Sequence, residues 1–443
     1  MRGRFIFPMI GLLLLITGIR PPVFGSIQSI LSPENQAIVM NRYLKWRLDH
    51  LLPGLMERTG IDMWLVINRE YNEDPVYLTL VPRPAMNARR NSILIFCYDR
   101  DSQRVERFSG SFYPFLGWYK AIWLNKTRDQ FSSLAAFIKK KNPGRIGINS
   151  SAHWAFGDGL SHSLHTRLVT ALGVDYASRL VSADELCVGW LETRSPLELD
   201  MYKNVASTAH ELIREFFSSR VIKPGITSTQ EVRWWIMERI SSMGLEPWFF
   251  PSIDIVRNKK KANSDENPDL IQRGDLLHCD VGIVYLGLCT DMQWNAYVCR
   301  IGENDAPKGL TEALKKALQV AHIFMGEFRE KRNGRQVVDE TMKKVKKRGI
   351  EALIYSHPVG IHGHAAGPAM EGRPRGEKPA DTEFTEKYPL YGNTAFAIEF
   401  SVFHRVPEWN NQKIRLGFED NAVFTEAGCR FIDGCQQQLI LIK

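Results

Sequence analysis

The chain has 443 residues, about three times an ordinary single-domain length, so two domains are expected. Hydrophobic residues make up 44% and charged residues 24%, which excludes a mainly disordered chain, and no apolar run is long enough to announce a spanning helix. The formal net charge of +8 invites a nucleic-acid or anionic-membrane partner only if the positive charges cluster.

At the start, Arg2 and Arg4 precede an apolar stretch from Phe5 to Thr17, and Val23-Phe24-Gly25 sets small residues before Ser26. This is the layout of a cleavable leader over residues 1–25, which predicts an exported protein, periplasmic or secreted. A short membrane anchor is the alternative, weakened by Pro8 and by the shortness of the stretch. Arg2, Arg4 and Arg20 leave with the leader, and no stable membrane association is expected afterwards. The remaining lysines are dispersed, apart from Lys259-Lys260-Lys261 and a run from Lys343 to Lys347, both read as solvated surface. Nucleic acid is therefore not an expected partner.

From Asn41 to about Cys187 the chain alternates helical stretches (42–59, 128–141, 161–172) with strand-like runs (62–68, 92–98, 145–149). That alternation predicts an α/β domain over 26–190. A boundary follows at 190–196, where Ser195-Pro196-Leu197-Glu198 combines an N-cap, a first-turn proline and a capping-box glutamate. Leu197, Met201, Val205, Leu212 and Phe216 then give one buried helical face. Further helices are predicted after Ser228, near 309–331 and near 336–348. Strands are predicted at 276–285, 293–300, 394–402 and 418–424. The second domain, 191–443, is thus α+β, with helices covering one side of the strands. Trp248-Phe249-Phe250 is read as core in preference to a ligand pocket.

Of the seven cysteines, Cys97, Cys279 and Cys299 lie in apolar runs and read as small buried hydrophobes. Cys429 and Cys435, close together near the C-terminus, are the candidate disulfide pair if the chain is exported.

The chemical signal is a set of carboxylates inside apolar strand runs. Asp280 sits in Leu276-Leu277-His278-Cys279-Asp280-Val281, and Glu399 lies between Ile398 and Phe400. Glu419 and Asp420 follow Phe418, and Asp291 follows Cys289-Thr290. An ionised carboxylate in a dry interior costs several kcal/mol unless paired or bound to a cation. No Arg or Lys stands beside Asp280 or Glu399, so a divalent metal is the simplest relief. Asp280 and Asp291, with Gly282 and Gly287 between them, suit two strands of a hairpin aimed at one point. The imidazole that hard-oxygen sites for manganese, zinc, cobalt or iron accept would come from His357-Pro358-Val359-Gly360-Ile361-His362-Gly363-His364.

This order of Asp, Asp, His, Glu and Glu resembles the pita-bread dimetal peptidases, which include Xaa-Pro aminopeptidase, prolidase and methionine aminopeptidase. The preceding domain resembles the creatinase-type N-terminal domain. The resemblance implies Asp280, Asp291, His357, Glu399 and Glu419 as ligands of two divalent ions, manganese first, with zinc, cobalt or iron as alternatives. His357 is the ligand because Gly360 and His364 follow it at the family spacing; His362 has no family role. The resemblance further implies His364 as a catalytic, substrate-contacting residue and Glu399 as general base and acid. The reaction would be hydrolysis of peptide bonds by a metal-bridging hydroxide, most simply of Xaa-Pro bonds in short peptides, by a homodimer. A dimetal lyase or hydrolase of a small non-peptide substrate, and an inactive peptide-binding scaffold, are the alternatives on this fold. Three positions depart from the family: Lys261 to Asn267 holds no histidine, Gly417 stands where an arginine is usual, and Phe400-Ser401 replaces proline-glycine after Glu399.

Overall fold

The computed structural model describes residues 30–111, 115, 117–123, 129–259, 267–373 and 382–443. The expected leader, Lys260, Lys261 and most of the 261–267 segment lie outside them. The first sheet is built from β1 (Met63–Arg69), β2 (Asn91–Asp99), β3 (Arg104–Ser109), β4 (Lys120–Ala121), β5 (Ile146–Ile148) and β6 (Leu180–Ser182), in the order β4-β3-β2-β1-β5-β6. Alternation sorts β1 between two cores. Met63, Leu65 and Ile67 pack with Phe131, Leu134, Ile138 and Leu168 of helices Gln130–Lys141 and His162–Leu172. Trp64 and Val66 pack with Leu52, Leu55 and Met56 and with helix Asp184–Glu192. The single helix expected over 42–59 divides into Pro33–Trp46, a π-helical turn Arg47–Leu51, and Leu52–Thr59. Pro53 explains the division, because it has no N–H to continue the ladder.

A buried ion cluster joins this part to the next. Arg47 Nη1 donates to Thr193 O at 2.6 Å and lies 3.2 Å from Glu198, which also takes Arg194 at 3.1 Å. Glu198 closes the expected capping box with Ser195 at the start of helix Pro196–Phe216.

The remaining strands are β7 (Glu246–Pro247), β8 (Ser252–Val256), β9 (Leu276–Val281), β10 (Ile283–Tyr285), β11 (Leu288–Cys289), β12 (Met292–Val298), β13 (Glu351–Val359), β14 (Met370–Glu371), β15 (Thr394–Val406), β16 (Gln412–Thr425), β17 (Gly428–Phe431) and β18 (Ile440–Ile442). The large sheet runs β14-β13-β15-β16-β12-β9-β8, with β17 added to β16 and β18 to β12. Residues of one parity face helices. Cys279, Met292 and Trp294 pack with Pro196–Phe216 and Thr229–Ser242. Ile398, Phe400 and Phe418 pack with Lys308–Met325 and Gly334–Lys347. The other parity is left for the opposite face, and that face carries the acids. The chain is therefore α+β, an α/β domain followed by a second domain in which helices cover one face of a large sheet. Among the described residues no helix is long and apolar enough to cross a membrane.

Two expectations change. Cys429 and Cys435 are free thiols; both pack against the second helix core, and Cys435 Sγ accepts from the Gln437 amide at 3.0 Å. Trp248 and Phe249 are only half-buried and Phe250 is exposed, stacked edge-on with Trp234 at 5.0 Å.

Candidate metal centre

Strand register assembles the acids. Asp280 in β9 pairs with Gln293 in β12, Gln293 with Glu419 in β16, and Glu419 with Glu399 in β15. Cross-strand partners share a face, so three carboxylates and one amide form a lateral row. Asp291 joins them from the end of a detour: after Asp280 the chain leaves the large sheet and makes a small hairpin of β10 and β11. Its turn, Leu286-Gly287, has φ of 52° and 71°, the left-handed pair that a two-residue hairpin requires. The expected antiparallel arms thus exist as β9, which carries Asp280, and β12, which Asp291 directly precedes, with the β10–β11 hairpin inserted between them. Asn421 fixes the return, donating to Asp291 O at 3.0 Å and accepting from Asp291 N at 3.2 Å.

His357 ends the set from β13. Its Nδ1–H donates to Pro358 O at 2.9 Å, which turns Nε2 toward the acids, 3.5 Å from Asp291, 3.8 Å from Glu419 and 3.9 Å from Glu399. Three groups of potential ligand atoms, each lying within 4.8 Å of one another, cover the site: Asp291, His357 and His364; His357, Glu399 and Glu419; Asp280, Asp291 and Glu419. All five residues expected as ligands are brought together, with His364 beside them. His362 is in none of the groups. It stacks on Phe156 at 4.6 Å and lines a separate cavity of 330 Å³ with Arg47, Glu198 and Leu286.

The electrostatics are those of a site awaiting positive charge. Burial, then repulsion from neighbouring acids, pushes the carboxyls of Asp291 and Glu419 well above the ordinary range. Burial does the same for Asp280 and Glu399, opposed at Glu399 by the Gln293 amide. Burial also lowers His357 to about 3, so its imidazole is neutral at physiological pH and has a lone pair to offer. Asp280 Oδ1, Glu419 Oε1 and His357 Nε2 are buried and hydrogen-bond to no protein group among the described residues. Unpartnered acceptors spread over overlapping ligand groups, in an oxygen-rich set with one imidazole, fit divalent cations.

Two neighbours, Gln293 and His278, are not singled out by the sequence, and a third, Trp248, reads there as core. Gln293 lies two residues after Asp291 and His278 two before Asp280, so alternation alone would have put both near the acids. Trp248 packs its ring edge-on to His364 at 5.3 Å and donates from Nε1 to Thr290 O at 2.7 Å. A Cβ on Gly363 would come within 2.2 Å of that indole, so glycine is required there for space. Of the departures, Arg415 donates to Ser401 Oγ at 2.7 Å, and Phe400 stacks on Phe418 at 5.0 Å.

Residues 200–426 match the sequence pattern of metallopeptidase family M24. That is over half of the chain, and the protein belongs to this family, the pita-bread dimetal peptidases. The fold is similar to those of the X-Pro aminopeptidase from Thermotoga maritima (16% identity, 87% of this chain and 99% of that one, TM-score 0.61), the Xaa-Pro dipeptidase from Bacillus anthracis (16%, 91% and 99%, TM-score 0.58) and a dipeptidase from Pyrococcus horikoshii (16%, 88% and 99%, TM-score 0.57). At such identities the likeness is one of fold. No curated protein matches the sequence.

Proposed function

We propose that this protein hydrolyses Xaa-Pro bonds of short peptides at a centre for two divalent ions held by Asp280, Asp291, His357, Glu399 and Glu419. The observation that carries the reading is the in-register row Asp280, Gln293, Glu419, Glu399 facing the unpartnered Nε2 of His357. Bound divalent ions supply Lewis-acid polarisation of the scissile carbonyl and lower the pKa of an attacking water.

The chain's own residues do the rest. Glu399 is half-buried in the acid row with Oε1 engaged by Gln293 at 2.8 Å, which leaves Oε2 to take a proton from water and pass it to the leaving nitrogen. That nitrogen is an amine once the bond breaks, so one proton taken and one returned balances the step. His364 contacts the substrate carbonyl, a role supported by its exposure and its packing between His357 at 4.5 Å and Trp248 at 5.3 Å. Trp248 walls that side of the opening. Proline specificity is supported by the X-Pro aminopeptidase and the Xaa-Pro dipeptidase that share the fold, and manganese by the hard-oxygen ligand set. The dimer rests on the family resemblance, and export on the basic and apolar start; sedimentation analysis and N-terminal sequencing of the expressed protein test the two.

The test is a panel of Ala-Pro, Gly-Pro, Ala-Pro-Ala and matched alanine-only peptides with Mn²⁺, products identified by mass spectrometry. Cleavage restricted to the Xaa-Pro bond supports the reading. Cleavage of the alanine-only peptides alone removes the proline specificity.

A further inference from the structure

Gln293 stands at the centre of the acid row, opposite Asp280 on one side and Glu419 on the other. Its amide nitrogen donates to Glu399 Oε1 at 2.8 Å and lies 3.5 Å from Asp280 Oδ2. Its amide oxygen points the other way, 3.0 Å from His278 Nε2. His278 Nδ1 in turn stands 3.3 Å from Asp254 Oδ2, across the β8–β9 register. The space these groups share is kept open by Gly417, where a Cβ would fall 2.5 Å from His278 Nε2 and 2.9 Å from Gln293 Oε1.

A glutamine amide has two unlike ends of nearly the same shape. Flipped by half a turn, Gln293 would set its oxygen against Glu399, acceptor against acceptor. His278 decides between the two, because a ring N–H directed at one end of the amide admits only the oxygen there. Asp254 holds the ring in that direction by accepting from Nδ1–H, and the two contacts are met together when both ring nitrogens carry hydrogen.

We propose that Gln293, oriented by His278 and Asp254, is the positioning residue of the metal centre. It fixes the Glu399 and Asp280 carboxylates and leaves their remaining oxygens for the cations. The proposal rests on the dimetal reading above. Groups that orient metal ligands typically change metal affinity or activity by about 10–100-fold when removed, and that is the effect expected here.

The experiment is calorimetric titration of the full chain with Mn²⁺ alone, with thermal melting of the metal-free protein as the folding control. Gln293→Leu and His278→Ala should each weaken Mn²⁺ binding by about 10–100-fold. The double variant should be no worse than the worse single one, because both act through one amide. His278→Gln, which restores a donor near Nε2, should return affinity to within about threefold of wild type, a rescue that a merely structural role would not give. Gly417→Ala should weaken binding in the wild-type background and have a smaller effect in His278→Ala, where only the contact with Gln293 remains. Wild-type affinity in folded Gln293→Leu overturns the proposal. If that variant does not fold, wild-type affinity in both His278→Ala and Gly417→Ala overturns it instead. Failure of the unaltered protein to bind Mn²⁺ sinks the dimetal reading and this proposal together; Mn²⁺ binding that is equal in all variants sinks this proposal alone.

Discussion

Glu399 and Glu419 stand directly opposite each other on β15 and β16, two carboxylates in a position where cross-strand neighbours normally attract. The sheet register enforces the pair, and Asp280 and Asp291 add to the crowding. Such a cluster destabilises the metal-free fold and gains its purpose when cations arrive. Its carboxyls titrate higher in the fold than in the unfolded chain. Their penalty is therefore absent in acid and grows as pH rises past the ordinary carboxylate range.

Glu419→Gln separates the two effects. At pH 8 the metal-free variant should be more stable than the metal-free wild type, by on the order of 1 kcal/mol in urea denaturation. Added Mn²⁺ should then stabilise the wild type and leave the variant unchanged. A variant that still gains stability from Mn²⁺ would remove Glu419 from the ligand set.

Glu399→Gln keeps the shape of the side chain and removes its capacity to carry a proton. Turnover of an Xaa-Pro dipeptide should fall by about 10²–10⁴-fold. Near-normal turnover in steady-state assays would contradict the role assigned to this carboxylate.

The three histidines of the 357–364 segment should behave differently in side-by-side assays. His357→Ala should lose Mn²⁺ binding and activity together, because Nε2 is the only imidazole nitrogen facing both Glu399 and Glu419 among the described residues. His364→Ala should retain the metal and lose kcat/KM. His362→Ala, remote from the acids and stacked on Phe156, should stay within about threefold of wild type, as for a substitution away from the site.

His210 provides a pH test outside the ligand set. Burial opposes its charge, but Asp420 at 2.7 Å and Asp433 at 3.1 Å outweigh burial and raise it to about 9. A raised histidine stabilises fully below its unfolded pKa, near 6.5, and the benefit is lost as pH climbs through about 9. The stability difference between wild type and His210→Gln should therefore narrow by on the order of 3 kcal/mol between pH 6 and pH 10. A difference independent of pH over that range would show that the ring is not charged in the fold.

Much of this was legible in the sequence because the informative residues break a local rule. Asp280, Glu399 and Glu419 are acids within apolar alternation, and such breaks point to a site before any fold is known. Ser195 and Glu198 likewise declare a helix start from four residues. Relationships that depend on register were not legible. Gln293 is unremarked as a polar residue on a strand until β9 and β16 are laid on either side of it. His278 and Gly417 are far apart in the chain, and only the sheet shows that one fills the space the other leaves. The half-exposure of Trp248 is of the same kind, since an aromatic triplet reads as core until the neighbouring glycines are placed beside it.

The most direct measurement strips the protein with chelator and restores Mn²⁺ stepwise while following both bound metal per chain and Ala-Pro hydrolysis. Hydrolysis should appear only as metal binds, with about two ions per chain at saturation. Folded protein that binds no divalent metal, or that hydrolyses the peptide equally well when fully stripped, would contradict it.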